Sequence, residues 1–128
     1  MHDVLDQARE SLETRKIAAP ADQGVVNYFL TQLDLMDALA QNAFDLSFVF
    51  YDRVLASEHA GNILAGYTGQ RLTLLADELF TLVRTFQKRL DAVPALRELP
   101  GLNRVAPALD PFIEATGAHG EDILARAQ

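Results

Sequence analysis

The sequence predicts an all-α fold, an irregular helical bundle with two long core helices and short C-terminal helices. Apolar residues recur at three- and four-residue spacing over two long segments, residues 22–57 and 70–92. Four of the five prolines lie between residues 94 and 111 and limit that part of the chain to short helices. With 128 residues, 49% of them apolar, the chain can build one hydrophobic core. We therefore expect a single all-helical domain over 1–128, whose residues 94–128 form a proline-rich region of short helices.

The first predicted helix begins at Asp3 and ends near Ala18, before Pro20. The Asp3 carboxylate can accept hydrogen bonds from the free N–H groups of the first turn. The apolar stripe of this helix is thin and consists of Val4, Leu5, Ala8 and Leu12. Because it buries little area, we expect it to be the least stable helix.

The second segment, residues 22–57, is apolar over more than half of a helical circumference. A surface helix needs an apolar stripe of about 100°, so this one should lie in the middle of the fold or against a second chain. A straight helix of this length would span about 54 Å at about 1.5 Å per residue. A compact domain of this size does not need that length, so the helix either breaks near residues 42–45 or projects and dimerises. A strand over 46–55 is the alternative, because its aromatic and β-branched residues favour β structure.

Glycine and proline set the expected boundaries in the second half of the chain. Gly61 predicts the end of the second helix, followed by a connection over residues 61–69. The helix at 70–92 has the cleanest apolar stripe, formed by Leu72, Leu75, Leu79, Leu82 and Phe86, which Val83 and Leu90 widen. Asp110 and Pro111 predict the start of a short helix that stops at Gly117, with a last turn at 121–127.

The residues that carry chemistry form no recognisable constellation. Residues 61–68 fit the phosphate-binding loop pattern except for its lysine, and no buried strand precedes them. None of the three histidines has a glutamate three residues before it, as helical di-metal sites require, and there is no cysteine. The serines lack the sequence setting of a nucleophile. The sequence therefore predicts no catalytic residue, no cofactor and no metal site.

The charge of the chain bears on its partners. The net charge is −7, and residues 1–64 hold ten acids against four bases. Attraction to nucleic acid phosphates or to anionic lipid is therefore not expected. The sequence has no apolar run long enough for a membrane span and no export signal at its N-terminus, which predicts a cytoplasmic location.

Two surfaces of the second segment are predicted to bind proteins. Aspartates recur on one face of the segment without basic partners and form an acidic row, which consists of Asp34, Asp37, Asp45 and Asp52. We interpret the acidic row as a partner-binding surface. The broad apolar face is interpreted as a self-association surface, with Phe29, Met36, Phe50 and Val54 as its residues.

The predicted function is a non-enzymatic protein-interaction module, such as a small adaptor, inhibitor or regulatory subunit. Because few other elements can cover the apolar surface of residues 22–57, the module should form a homodimer. The alternative is a small-ligand or metal-binding bundle, with or without enzymatic activity, whose aromatic-lined cavity is walled by Phe29, Phe44, Phe48, Tyr51 and Phe86. A third interpretation is an acidic mimic of nucleic acid that uses the acidic row.

Overall fold

The computed structural model describes residues 2–49 and 61–127, and all of its regular elements are helical. The α-helices are α1 (His2–Ala18), α2 (Gln23–Val49), α3 (Gly61–Asp91), α4 (Pro94–Arg97) and α5 (Val105–Ala127). Short 3-10 turns at Pro20–Asp22 and Leu102–Arg104 precede α2 and α5. The described residues contain no strand. The predicted all-α class, with two long core helices and a short helix in the proline-rich region, is confirmed.

α2 does not break where one alternative for the second segment placed a break, and the alternative that it projects and dimerises stays a prediction. The helix passes through residues 42–45 without a break, and residues 46–49 continue it, so the strand does not begin there. Residues 50–57 of the predicted segment lie outside the described residues. Aromatic and β-branched residues in this segment favour β structure locally, but most of the stability of a helix in a protein comes from packing.

Two boundaries that were predicted from glycine and proline are wrong. Residues 61–69 are the first turns of α3 and not a connection. α5 begins at Val105, contains Pro111 and continues past Gly117 to Ala127. Glycine and proline weaken a helix locally but do not end it where tertiary packing stabilises it, so α3 contains Gly66 and Gly69 and α5 contains Pro111 and Gly117.

The chain forms two compact units. The first unit consists of Met1–Ala38 and Thr81–Pro111, and the second of Leu39–Phe80 and Phe112–Gln128. The chain passes from one unit to the other inside α2, α3 and α5. The single domain stays a prediction.

Aromatic packing fills the core of the first unit. Phe29 of α2 and Phe86 of α3 are buried, and their rings meet edge to face with centroids 5.4 Å apart. This geometry places the positive ring edge of one phenylalanine on the negative face of the other. The predicted stripe of α1 is confirmed, because Leu5, Ala8 and Leu12 are all buried.

Polar contacts attach α1 to the rest of the first unit. The Arg9 guanidinium donates to Asp34 Oδ1 of α2 at 2.9 Å, and Arg15 forms an ion pair with Asp22 at 2.8 Å. The Ser11 hydroxyl donates to the Pro100 carbonyl at 2.6 Å. The thin apolar stripe of α1 is thus supplemented by hydrogen bonds along its length.

Small residues allow close packing in the second unit. A Cβ atom on Gly69 of α3 would lie 2.8 Å from the Gly120 carbonyl oxygen of α5. One on Gly120 would lie 3.0 Å from both the Gly69 carbonyl oxygen and the Thr73 amide. The two backbones therefore meet at a point that only glycine on each side permits. The buried apolar cluster of this unit is Ala43, Ala65, Leu72, Leu75 and Ile123.

Candidate functional site

Two phenylalanines of α2 stand out on the surface of the second unit. Phe44 and Phe48 are each 64% exposed, and they lie one helical turn apart. We call these two side chains the aromatic pair. Most large apolar side chains of the chain are buried, so two neighbouring exposed phenylalanines mark a candidate interaction site.

The packing of α2 explains why the aromatic pair faces solvent. Ala40 and Ala43 are buried, and Leu39 and Leu46 pack against the buried cluster of the second unit. At about 100° per residue, Phe44 and Phe48 project away from that inward face. The exposed residue between them is Asp45, whose Oδ1 accepts a hydrogen bond of 3.0 Å from the Gln41 side-chain amide. The exposed face of α2 thus combines two aromatic rings with a carboxylate.

α3 adds further exposed apolar side chains to the second unit. Tyr67 and Leu74 are 63% and 52% exposed, and their seven-residue separation places them on one face of α3. Phe80 is half-exposed and lines a groove of about 350 Å³ together with Asp77 of α3 and Glu114 of α5. Exposed aromatic residues are therefore a general property of this unit.

The structure places two of the predicted self-association residues in the core. Phe29 and Met36 are 1% and 0% exposed, so neither side chain is available to a second chain. Phe50 and Val54 lie outside the described residues. In the structure, Phe29 and Met36 are core residues, and self-association through this helix stays a prediction. Any interface formed by the described part of α2 has to use other side chains.

The acidic row has a basic partner that the sequence did not reveal. Asp34 forms an ion pair with Arg9 of α1 at 2.9 Å, and the same guanidinium reaches Asp6 at 3.3 Å. The interpretation of an unpaired row is therefore wrong at Asp34. Asp37 is half-buried, Asp45 accepts the Gln41 hydrogen bond, and Asp52 lies outside the described residues. As a partner-binding surface, the acidic row stays a prediction.

The aromatic residues proposed to wall one cavity differ in burial. Phe29 and Phe86 pack against each other in the first unit, whereas Phe44 and Phe48 are exposed in the second. Tyr51 lies outside the described residues. Phe44 and Phe48 are thus surface side chains, and the aromatic-lined cavity stays a prediction.

A serine and a histidine meet in the second unit, although the sequence separates them by 72 residues. Ser47 Oγ of α2 lies 3.3 Å from His119 Nδ1 of α5, and the same hydroxyl donates to the Ala43 carbonyl at 3.1 Å. The contact links α2 and α5 of the second unit. Which of the two groups donates depends on the tautomer of His119.

The described part of the chain has neither a group of side chains that could bind a metal ion nor a helix that could span a membrane. Within residues 2–49 and 61–127, no group of three or more His, Asp or Glu side chains is placed to hold a metal ion. In the same ranges, no helix combines the length and hydropathy that crossing a bilayer requires.

Comparison with known proteins identifies no similar protein. No family model, no curated protein and no solved structure matches the chain. The function has to be argued from the surface of the molecule itself.

Proposed function

We propose that this protein is a non-enzymatic protein-interaction module that self-associates through the exposed face of α2. The observation that carries the proposal is the aromatic pair. Phe44 and Phe48 expose 64% of their surface each, on a helix whose opposite face packs in the core of the second unit. A second copy that covered this face would remove both rings from water.

The energetics favour association through these two rings. Complete burial of one such side chain contributes about 1.5–3 kcal/mol, and roughly two thirds of each ring is still exposed to water. A symmetric dimer brings two copies of the aromatic pair together, so four rings contribute to one interface. Aromatic residues are enriched in the buried centre of protein interfaces for the same reason.

The acidic row is the second part of the proposal, as the surface that selects a partner. Its described members differ in their availability to a partner. Asp34 already forms an ion pair with Arg9, whereas Asp45 is exposed beside the aromatic pair. A basic side chain of an external partner would thus meet Asp45 next to Phe44 and Phe48. Charge at the rim of an interface mainly affects the rate and selectivity of binding.

The proposal is tested by the mass of the protein in solution. At micromolar concentration, sedimentation equilibrium should report about twice 14.1 kDa for the native chain. The double substitution Phe44→Ser and Phe48→Ser should return the mass to 14.1 kDa. Because both side chains are exposed in the single chain, the circular dichroism spectrum of this variant should be unchanged. Its unfolding midpoint should equal that of the native chain at dilutions where the native chain is monomeric, and should not depend on protein concentration.

Leu35 offers a matched control on the same helix. It is 47% exposed and lies in the first unit, away from the aromatic pair in sequence. Leu35→Ser therefore removes exposed apolar area from α2 while leaving both phenylalanines in place, and the dimer should persist. A native chain that stays monomeric, or a dimer that Leu35→Ser dissociates as completely as the double substitution, would contradict the proposal.

A further inference from the structure

A groove in the first unit combines apolar walls with one cationic side chain. It has a volume of about 390 Å³. One wall consists of residues of α2, which are Gly24, Val25, Tyr28 and Phe29. The other consists of Arg89 in the last turn of α3 and of Ala92 and Val93, which follow that helix. Its volume falls within the range of about 300–1,000 Å³ that is typical of small-molecule sites. The groove is made of different residues from the aromatic pair, so it is independent of the proposed dimer.

Arg89 is held in this groove by an aromatic ring rather than by an acid. The guanidinium carbon lies 5.2 Å from the centroid of the Tyr28 ring, which is the distance of a cation–π contact. Among the described residues, the ion pairs engage Arg9, Arg15, Arg84 and Arg126, and none of them engages Arg89. The hydrogen-bonding edge of its guanidinium is therefore open to an anion.

The composition of the groove defines the class of anion. A guanidinium matches a carboxylate with two parallel hydrogen bonds and balances its single negative charge. Among the described residues, Arg89 is the only cationic one that lines the groove, whereas a phosphate of charge near −2 is usually met by several donors. The remaining walls are mainly aliphatic and aromatic, which suits a hydrocarbon body. We propose that this groove binds a small apolar carboxylic acid, whose carboxylate pairs with Arg89 and whose hydrocarbon part lies against Val25 and Tyr28.

A peptide fits the groove less well than a small molecule does. Peptide recognition by strand addition needs the open edge of a strand, and the described walls of the groove come from α2, from the end of α3 and from the two residues after it. The groove therefore offers no strand edge to a peptide. These walls favour a compact molecule with one charged end.

The experiment uses 4-phenylbutyrate and its neutral amide as a matched pair of probes. Titration followed by NMR should show saturable shifts at Val25 and Ala92 for the acid, with an affinity about tenfold higher than that of the amide. Arg89→Gln should abolish this preference, so that both probes bind equally weakly. Arg89→Lys should retain part of the preference, because it keeps the charge but loses the two-pronged geometry.

Two control variants separate this site from general effects. Lys88→Gln removes the same charge from the neighbouring position, which does not line the groove, and should leave the preference intact. Gly24→Leu fills the groove from a position where an added Cβ meets nothing within 4 Å, and should weaken acid and amide together. The proposal is overturned if the native chain binds acid and amide equally, or if neither probe shows saturable binding. It is also overturned if Lys88→Gln has the same effect as Arg89→Gln. If Arg89→Gln changes only the oligomer mass, the groove binds a second copy of the chain and not a small acid.

Discussion

The two units of this molecule place their aromatic residues in opposite ways. In the first unit, Phe29 and Phe86 are buried against each other, and ion pairs such as Arg9–Asp34 and Arg84–Asp110 connect separate elements. In the second unit, the buried cluster consists of aliphatic residues, and Phe44 and Phe48 are on the surface. Both units are built from parts of the same long helices, so the difference arises from the side chains and not from the secondary structure.

The second unit also differs in how closely two of its helices approach. Where Gly69 of α3 and Gly120 of α5 meet, the space between the backbones is too small for a Cβ atom, and no large ring can enter there. Of the phenylalanines of that unit, Phe44, Phe48 and Phe80 are exposed, and Phe112 is partly buried against the aliphatic cluster. The comparison indicates that the first unit devotes its aromatic surface to its own stability, while the second leaves it available for association.

The largest expected effect is on the aromatic core of the first unit. Phe86→Ala removes a fully buried ring and its edge-to-face partner contact, so the free energy of unfolding should fall by about 3–5 kcal/mol. Urea unfolding followed by circular dichroism measures this loss. The exposed Lys88 supplies the control, since Lys88→Ala should change stability by less than about 0.5 kcal/mol. A loss below about 1 kcal/mol for Phe86→Ala would mean that this core is not closely packed.

An intermediate effect is expected at the glycine contact of the second unit. Gly120→Ala places a Cβ 3.0 Å from backbone atoms of α3, so the helices must separate, at a cost of about 1–3 kcal/mol. Gly117→Ala adds the same group one turn earlier, where it meets only the Ala76 methyl at 3.5 Å. This variant should be as stable as the native chain or more stable by up to about 1 kcal/mol, because alanine favours a helix over glycine. Equal effects of the two substitutions on the unfolding midpoint would show that α3 and α5 do not meet at Gly120.

The smallest effect concerns two aspartates of the acidic row. Asp34→Asn removes the charge that pairs with Arg9, and the free energy of unfolding should fall by about 0.2–1 kcal/mol. Added salt should reduce the difference between this variant and the native chain, because it screens exposed charges. Asp45→Asn keeps an acceptor for the Gln41 amide and should leave stability unchanged at any salt concentration. A salt-independent loss at Asp34 would contradict the role assigned to the ion pair.

The sequence predicted those features that depend on local pattern. The extent of α1 and the buried stripe of α3 follow from spacing, and Leu72, Leu79 and Phe86 are all fully buried. Gly69 and Gly117 were misleading, since a glycine at the end of a helix and a glycine inside a packed helix cannot be distinguished in the sequence. Only the spatial partner distinguishes the two cases.

The candidate site was predicted less well, for a related reason. A helix that is apolar over most of its circumference does not indicate which part of that surface packs inside the protein. Phe29 and Met36 were expected outside and are buried, whereas the exposed Phe44 and Phe48 were expected to wall a cavity. The contacts of Arg9 with Asp34 and of Ser47 with His119 join distant parts of the chain, which helical spacing cannot predict.

The central claim, that the aromatic pair forms the self-association surface, is tested most directly by contacts between chains. In a sample that mixes isotope-labelled and unlabelled protein, isotope-filtered nuclear Overhauser spectra detect only protons of different copies. The account predicts such intermolecular signals for the ring protons of Phe44 and Phe48, and none for the buried ring of Phe29. The account would be contradicted by a dimer whose intermolecular signals arise from other residues. In that case the ring-proton signals of Phe44 and Phe48 would not change on dilution to the monomer.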